Sequence, residues 1–312
     1  MKKFTSFLFL ALFFSFRLFG QFSSVLPLNP VPVISYTADK PQSKTWFLDG
    51  KHWTVLGTSA GTYLCRLDGT TWTKVLRLHS SGYGRADCKV VGNVVHVLIF
   101  KKDISRLVSA EYVPATKSYK LWTERPSTVD LTLDEGIETA TIDIDTQGRM
   151  WLASDGVTTV NIRWSDFPYA VWSPPNTIAT GISEDDIGEV VAMPSLGKIG
   201  VFWSNQVTKR FGFRTHLDGD NPANWSADEI PASQSALNVG HGFADDHMNI
   251  KTGNDGTLYC AVKTSYDKPG YPKLILLVRR PAGTWDNVYP VSETGTRGIA
   301  LVNETIGKIK VV

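Results

Sequence analysis

Asp87-Cys88-Lys89-Val90-Val91-Gly92-Asn93-Val94-Val95-His96-Val97-Leu98-Ile99-Phe100 is the stretch whose reading decides the fold. Two runs meet at Gly92-Asn93, a pair that supplies the positive φ of a tight turn cheaply, so the segment reads as a hairpin. In Val94–Phe100 only His96 is polar. A strand with one wet face would alternate, so this run reads as a strand covered on both faces.

The pattern recurs outward from there. Turn glycines stand at Gly50, Gly92, Gly148, Gly197, Gly256 and Gly307, at intervals of 42 to 59 residues. Strand pairs are expected about them, such as Thr141 to Asp145 leading into Arg149 to Ala153, and Met248 to Thr252 leading into Thr257 to Val262. A third run follows and ends near an arginine, at Arg66, Arg163, Arg214 and Arg279. A tryptophan then marks a fourth strand: Trp72, Trp122, Trp172, Trp225 and Trp285, separated by 50, 50, 53 and 60 residues. At a fixed phase these indoles are expected to pack between repeats. Trp151, Trp164 and Trp203 lie off that phase and are the candidates for exposed platforms.

Four antiparallel strands per unit of about fifty residues is the build of an all-β β-propeller, whose small sheets each bury both faces against their neighbours. A sandwich would not repeat a closing tryptophan, and β-helix coils are shorter. The expected units are five complete blades at 38–79, 80–129, 137–180, 184–240 and 244–293, with a partial sixth at 296–312. Residues 21–37 form an N-terminal segment in which Val31 to Tyr36 could close the ring. One strand would still be missing, so the sequence reads as part of a larger ring.

Charged residues make up 20 % and aromatics 11 % of the chain, with 26 Gly and 16 Pro, which suits short strands and many turns. Lys2 and Lys3, the apolar run Phe7 to Phe14, and Gly20 before Gln21 read as an export signal over residues 1–20, too short to span a membrane. A secreted or cell-surface location follows, with no membrane span once the signal is removed. Of 32 basic residues the signal takes three, leaving 29 against 30 acidic. Such balance argues against a nucleic-acid partner held by bulk charge. Cys65, Cys88 and Cys260 sit far apart in apolar runs without metal-ligand spacing and read as separate buried thiols, although one bridge plus one free thiol is an open alternative. No cofactor is implied.

Propeller sites form where the innermost strands start, at the mouth of the central channel. Residues at that phase are Arg85, Glu138, Asp185 with Asp186, Asp245 with Asp246 and His247, and Arg297. The ligand-binding set is therefore Arg85, Glu138, Asp186, Asp245, Asp246, His247 and Arg297. Arg offers planar bidentate contacts to carboxylated or hydroxyl-rich ligands. A carboxylate beside an imidazole could serve as acid and base, or hold Ca²⁺. On a strand, Asp245 and His247 would share a face and Asp246 would point away. Solvated strand starts and ion pairs between blades are the alternative reading of the whole set.

The stretch Asp245-Asp246-His247-Met248-Asn249-Ile250, with Asp255-Gly256-Thr257-Leu258-Tyr259, Val278-Arg279-Arg280 and Gly283-Thr284-Trp285, resembles blades of exported bacterial propellers related to sialidase-like and other carbohydrate-handling proteins. The lysine-led, phenylalanine-rich leader is similar to those of Bacteroidota. The sialidase Ser-x-Asp-x-Gly-x-x-Trp turn is absent. The resemblance implies a glycan or protein ligand at the mouth. The expected protein is a non-catalytic binding module, as a monomer or one part of a longer multidomain chain. The alternative is a polysaccharide-active lyase or glycoside hydrolase using His247, Asp246, Asp186 and Glu138, with two carboxyl groups roughly 5 to 10 Å apart.

Overall fold

The computed structural model describes residues 25–34, 43–83, 85–101 and 104–312. The expected export signal lies outside them. The described chain is all-β, and its only helical segments are single 3-10 turns such as Pro114–Thr116.

Six antiparallel sheets follow one another along the chain. The first holds β1 (Thr45–Leu48), β2 (Lys51–Thr58), β3 (Gly61–Asp68) and β4 (Thr71–His79) in that order. The second holds β5 (Arg85–Val91), β6 (Val94–Phe100), β7 (Ile104–Val113), β8 (Ser118–Leu121) and β9 (Val129–Thr132). Both β8 and β9 pair with the long β7, at its end and its start respectively. The third is β10 (Ala140–Ile144), β11 (Met150–Asp155), β12 (Thr159–Ser165) and β13 (Asn176–Thr180). The fourth has three strands, β14 (Gly188–Met193), β15 (Lys198–Asn205) and β16 (Arg210–Leu217). The fifth is β17 (Met248–Thr252), β18 (Leu258–Lys263), β19 (Leu274–Arg279) and β20 (Tyr289–Ser292), and the sixth pairs β21 (Ala300–Asn303) with β22 (Lys308–Val311).

Each expected turn glycine lies between the first and second strands of its sheet, and all six have positive φ, from 57° at Gly197 to 88° at Gly256. The tryptophan landmark is less regular. Trp72 lies in β4, but Trp122, Trp172, Trp225 and Trp285 lie outside the strands. In the fourth sheet the expected fourth strand is replaced by a loop that forms one isolated bridge with β16, Phe213 to Glu229, and further hydrogen bonds such as the Ser226 amide to the Thr215 carbonyl at 2.8 Å. Loop or strand, the indoles still close aromatic clusters: Trp225 meets Trp151 edge-on, and Trp285 meets Phe213. That packing tolerates a drifting backbone because the large ring, and not the ladder, makes the contact.

Strand alternation explains the continuous apolar runs. Val95, Val97 and Ile99 of β6 pack with Trp53, Val55 and Leu64 of the first sheet. Leu98 and Phe100, one residue out of phase, pack with Ile142, Met150 and Leu152 of the third. The third sheet repeats the device: Trp151 and Ala153 turn instead toward Val201 and Trp203 of the fourth. Each of these sheets is thus a layer between two others, and every fully buried aliphatic side chain contributes roughly 1.5–3 kcal/mol of transfer energy. Trp151 and Trp203 are therefore core residues, 0 % and 4 % exposed, and not the exposed platforms expected. Trp164 is half-buried, with the Arg149 guanidinium 4.3 Å above its ring.

The first strands β5, β10, β14, β17 and β21 stand side by side in that order. Side chains fasten them. Asp87 accepts from the Ile142 amide (2.7 Å), Thr141 from Val190 (2.9 Å), and Asp143 from Ala192 (2.7 Å). Glu189 accepts from the Ile250 amide, and Asn249 from Ala300 at 3.0 Å. An inner strand has a free edge, and buried amides there must find acceptors. Ser43, just before β1, joins this row through its amide to Asp87 (2.6 Å) and its carbonyl to Cys88 (2.6 Å). Within residues 25–34, Asn29 and Ile34 donate to Thr70 and Gly57 of the first sheet, and the end of the expected closing strand, residues 35 and 36, lies outside the described residues.

Candidate functional site

The first strands of the third, fourth and fifth sheets lie side by side, and the residues just before them come together. Glu138 precedes β10 by two residues, Asp185 precedes β14 by three, and Asp246 precedes β17 by two. Their carboxylates converge, with one oxygen of each within 4.8 Å of the others. Asp185 is exposed, Glu138 half-buried and Asp246 buried.

The backbone beneath each of these residues is held by a buried aspartate. Asp155, at the end of β11 and 0 % exposed, accepts from the amides of Glu138 (2.6 Å) and Thr139 (2.9 Å). Burial pushes its carboxyl up to about 7, with the neighbouring Glu138 acting in the same direction and the backbone amides against. Asp186 accepts from the amides of Ser183 (2.7 Å) and Gln206 (2.9 Å), and the Gln206 side chain reaches Asp185 at 3.4 Å. Asp245 accepts from the Asp246 amide (2.8 Å), the Ser265 hydroxyl (2.5 Å) and the Lys263 ammonium (2.7 Å). Burial raises the Asp245 carboxyl as well.

The expected set therefore divides. Glu138 and Asp246 meet in the cluster, and Asp185 joins them in place of its neighbour Asp186, which is fully buried and turned to backbone amides. Asp245 also points to structural partners. Arg85 sits beside the site but gives its Nη1 to the Glu138 carbonyl at 2.6 Å. Arg297 is exposed near β21, with Nη1 3.4 Å from the Thr296 hydroxyl.

His247 departs from the strand geometry expected of it. The chain bends at Asp246, before β17 begins, so the imidazole Nδ1 meets the carboxylate of the adjacent Asp246 at 2.5 Å. An ionised carboxylate only accepts, which places the proton on Nδ1 and leaves Nε2 with its lone pair when the ring is neutral. Nε2 is buried and has no hydrogen-bond partner among the described residues. The pair can act as a base with its tautomer fixed, and Lys263 stands 3.7 Å from the same Asp246 carboxylate. The three convergent carboxylates are of the hard-oxygen type that suits Ca²⁺, although the nearby lysine works against a second cation.

Sequence reading missed Asp155, Lys263 and Gln206, which lie at or beyond the far ends of second strands. A charged residue closing the apolar run Met150–Ser154 was the one visible signal. It also missed a polar cavity beside the first strands. Toward the turn end, this cavity of about 440 Å³ is lined by Ser43, Asp87, Lys89, Asp143, Glu189 and Lys251, among others. Lys89 pairs with Asp143, and Lys251 Nζ reaches the Ser43 hydroxyl at 3.0 Å. Burial pushes Asp87 up to about 7 and drives Glu189 upward too.

No protein-family model matches the chain, and no curated protein matches its sequence. Solved structures do. An α-L-arabinanase from Penicillium chrysogenum is 14 % identical over 91 % of this chain and 92 % of that one, with a TM-score of 0.51. A protein from Lactobacillus plantarum is 14 % identical over 84 % and 80 %, also with a TM-score of 0.51. The fold is propeller-like. At this identity the likeness speaks to architecture, and activity has to be argued from the site itself.

Proposed function

We propose that the protein is an exported, polysaccharide-active enzyme, a glycoside hydrolase or lyase, working at the strand-start mouth of a propeller of five blades and a partial sixth. The observation that carries this reading is the convergence of Glu138, Asp185 and Asp246 from three sheets within 4.8 Å. Three carboxyl groups meeting from separate sheets offer one group to give a proton and another to take it. That is the division of labour acid–base cleavage of a glycosidic bond requires; glycosidases place their two carboxyl groups roughly 5 to 10 Å apart for it, and here the converging oxygens lie closer than that. His247, oriented by Asp246, supplies the base a lyase would need.

The binding-module reading keeps one specific support: Asp245, Asp246, His247 and Lys263 bond mainly to one another, which suits a rigid recognition surface. Turnover separates the two. Arabinan is the first substrate to try, given the arabinanase neighbour, followed by xylan, galactan and polyuronates, with new reducing ends reporting hydrolysis and unsaturated uronates reporting elimination. Loss of product with Glu138→Gln and Asp246→Asn, with folding intact, supports the enzyme. Glycan binding without product by the native protein supports the module, and neither binding nor product removes both.

A further inference from the structure

The mouth carboxylates come from three separate loops, and loops are the least rigid part of a propeller. Acid–base work needs reacting groups held to a fraction of an ångström. Something must hold them, and the three sheets supply the same device. In each, a carboxylate buried more than nine-tenths ties the start of the first strand to the end of the second. Asp155 does so from the second strand, through the Glu138 and Thr139 amides. Asp186 does so from the first, through the Gln206 amide beyond β15. Asp245 does so through Lys263 at the end of β18 and Ser265 just beyond it.

We propose that Asp155, Asp186 and Asp245 are positioning residues, each fixing the backbone that carries one mouth carboxylate. The inference rests on the functional reading above. Asp155 is the most developed case. Its two oxygens take the amides of Glu138 and Thr139, while Arg85 takes the Glu138 carbonyl from the opposite side, so both peptide groups of Glu138 are gripped by charged side chains. Asp186 adds a second contact through Gln206, whose side-chain amide reaches Asp185 itself. Buried carboxylates in such numbers carry a desolvation cost that apolar residues would not, and positioning gives them a use.

Asp155→Asn keeps one acceptor oxygen and turns an NH₂ toward the other backbone N–H, and Asp155→Ala keeps neither. On a glycan that the native protein turns over, kcat falls roughly tenfold for Asn and roughly a hundredfold for Ala, with KM nearly unchanged. Glu229→Gln, which breaks the pair with Arg279, is the structural control: it lowers the melting temperature and leaves kcat alone. A purely structural Asp155 would behave like that control, and such a result overturns the proposal. If the Ala variant does not fold, Asn carries the comparison. A second measurement needs no substrate. In NMR spectra of the full chain the Glu138 and Thr139 amide protons move upfield in Asp155→Asn and the Glu138 carboxyl carbon shifts with them. Unchanged Glu138 signals overturn the positioning role even if glycans are cleaved. Absence of any glycan turnover or binding overturns the reading of the mouth, and the NMR result still decides the clamp.

Discussion

The strand-start end and the turn end of the first strands use the same residue type in different ways. Around the cavity toward the turn end, Asp87, Asp143 and Glu189 spend their oxygens on amides of the neighbouring first strand, so the carboxylates are the fasteners. At the mouth, Asp155, Asp186 and Asp245 hold the backbone, and Glu138, Asp185 and Asp246 are turned toward one another. Residue type alone does not separate structure from chemistry in this fold. What separates them is whether the carboxylate is spent on holding the fold or is turned toward other carboxylates.

The sharpest break of that contrast sets Asp185→Asn against Asp87→Ala. Asp185 is exposed, so its substitution leaves stability within about 0.5 kcal/mol. Product formation on the preferred glycan falls by about two orders of magnitude. Activity near the native level would remove Asp185 from the mouth's chemistry. Asp87→Ala strands the buried amide of Ile142 and the half-buried one of Ser43 and costs roughly 2–4 kcal/mol, read from the urea midpoint. A cost below about 0.5 kcal/mol would show that the first strands are not fastened as described.

A smaller effect appears in the pH dependence of stability. Burial holds the folded Asp87 carboxyl at about 7, well above its ordinary value of 3.8. The folded state therefore binds that proton more tightly than the unfolded state. Its contribution is fully present below pH ~4, is lost as pH rises toward 7, and is level above that. Asp87→Asn should flatten this part of the curve, and an unchanged slope between those limits would contradict it. The smallest effect concerns the thiols. Burial raises Cys65 to about 11 and Cys88 and Cys260 well above the ordinary thiol value. Alkylation of the folded protein near neutral pH should be at least roughly tenfold slower than in urea, and equal rates would show an accessible thiolate.

The sheets were legible because their signals are local. A turn glycine between two apolar runs is readable wherever it occurs, and Gly92 and Gly256 sit where the runs demand. Fourth strands were legible only in part, since Trp225 makes its contact from a loop and leaves no ladder behind. Strand phase marked Glu138, Asp185 and Asp246, whose carboxylates converge. It did not decide between neighbours, because one residue of slip exchanges Asp185 for Asp186 and so exchanges an exposed carboxylate for a buried clamp. The partnership of Glu138 with Asp155 spans 17 residues and a strand reversal, and no spacing rule reports it.

The fastening of the first strands bears on how such a chain could have grown. From the second sheet on, each junction is made by a side chain of one repeat reaching an amide of the next, from Asp87 to Ile142 through to Asn249 and Ala300. Copying one repeat in tandem would copy its own connector as well, so the number of repeats can drift between descendants without any interface being invented anew.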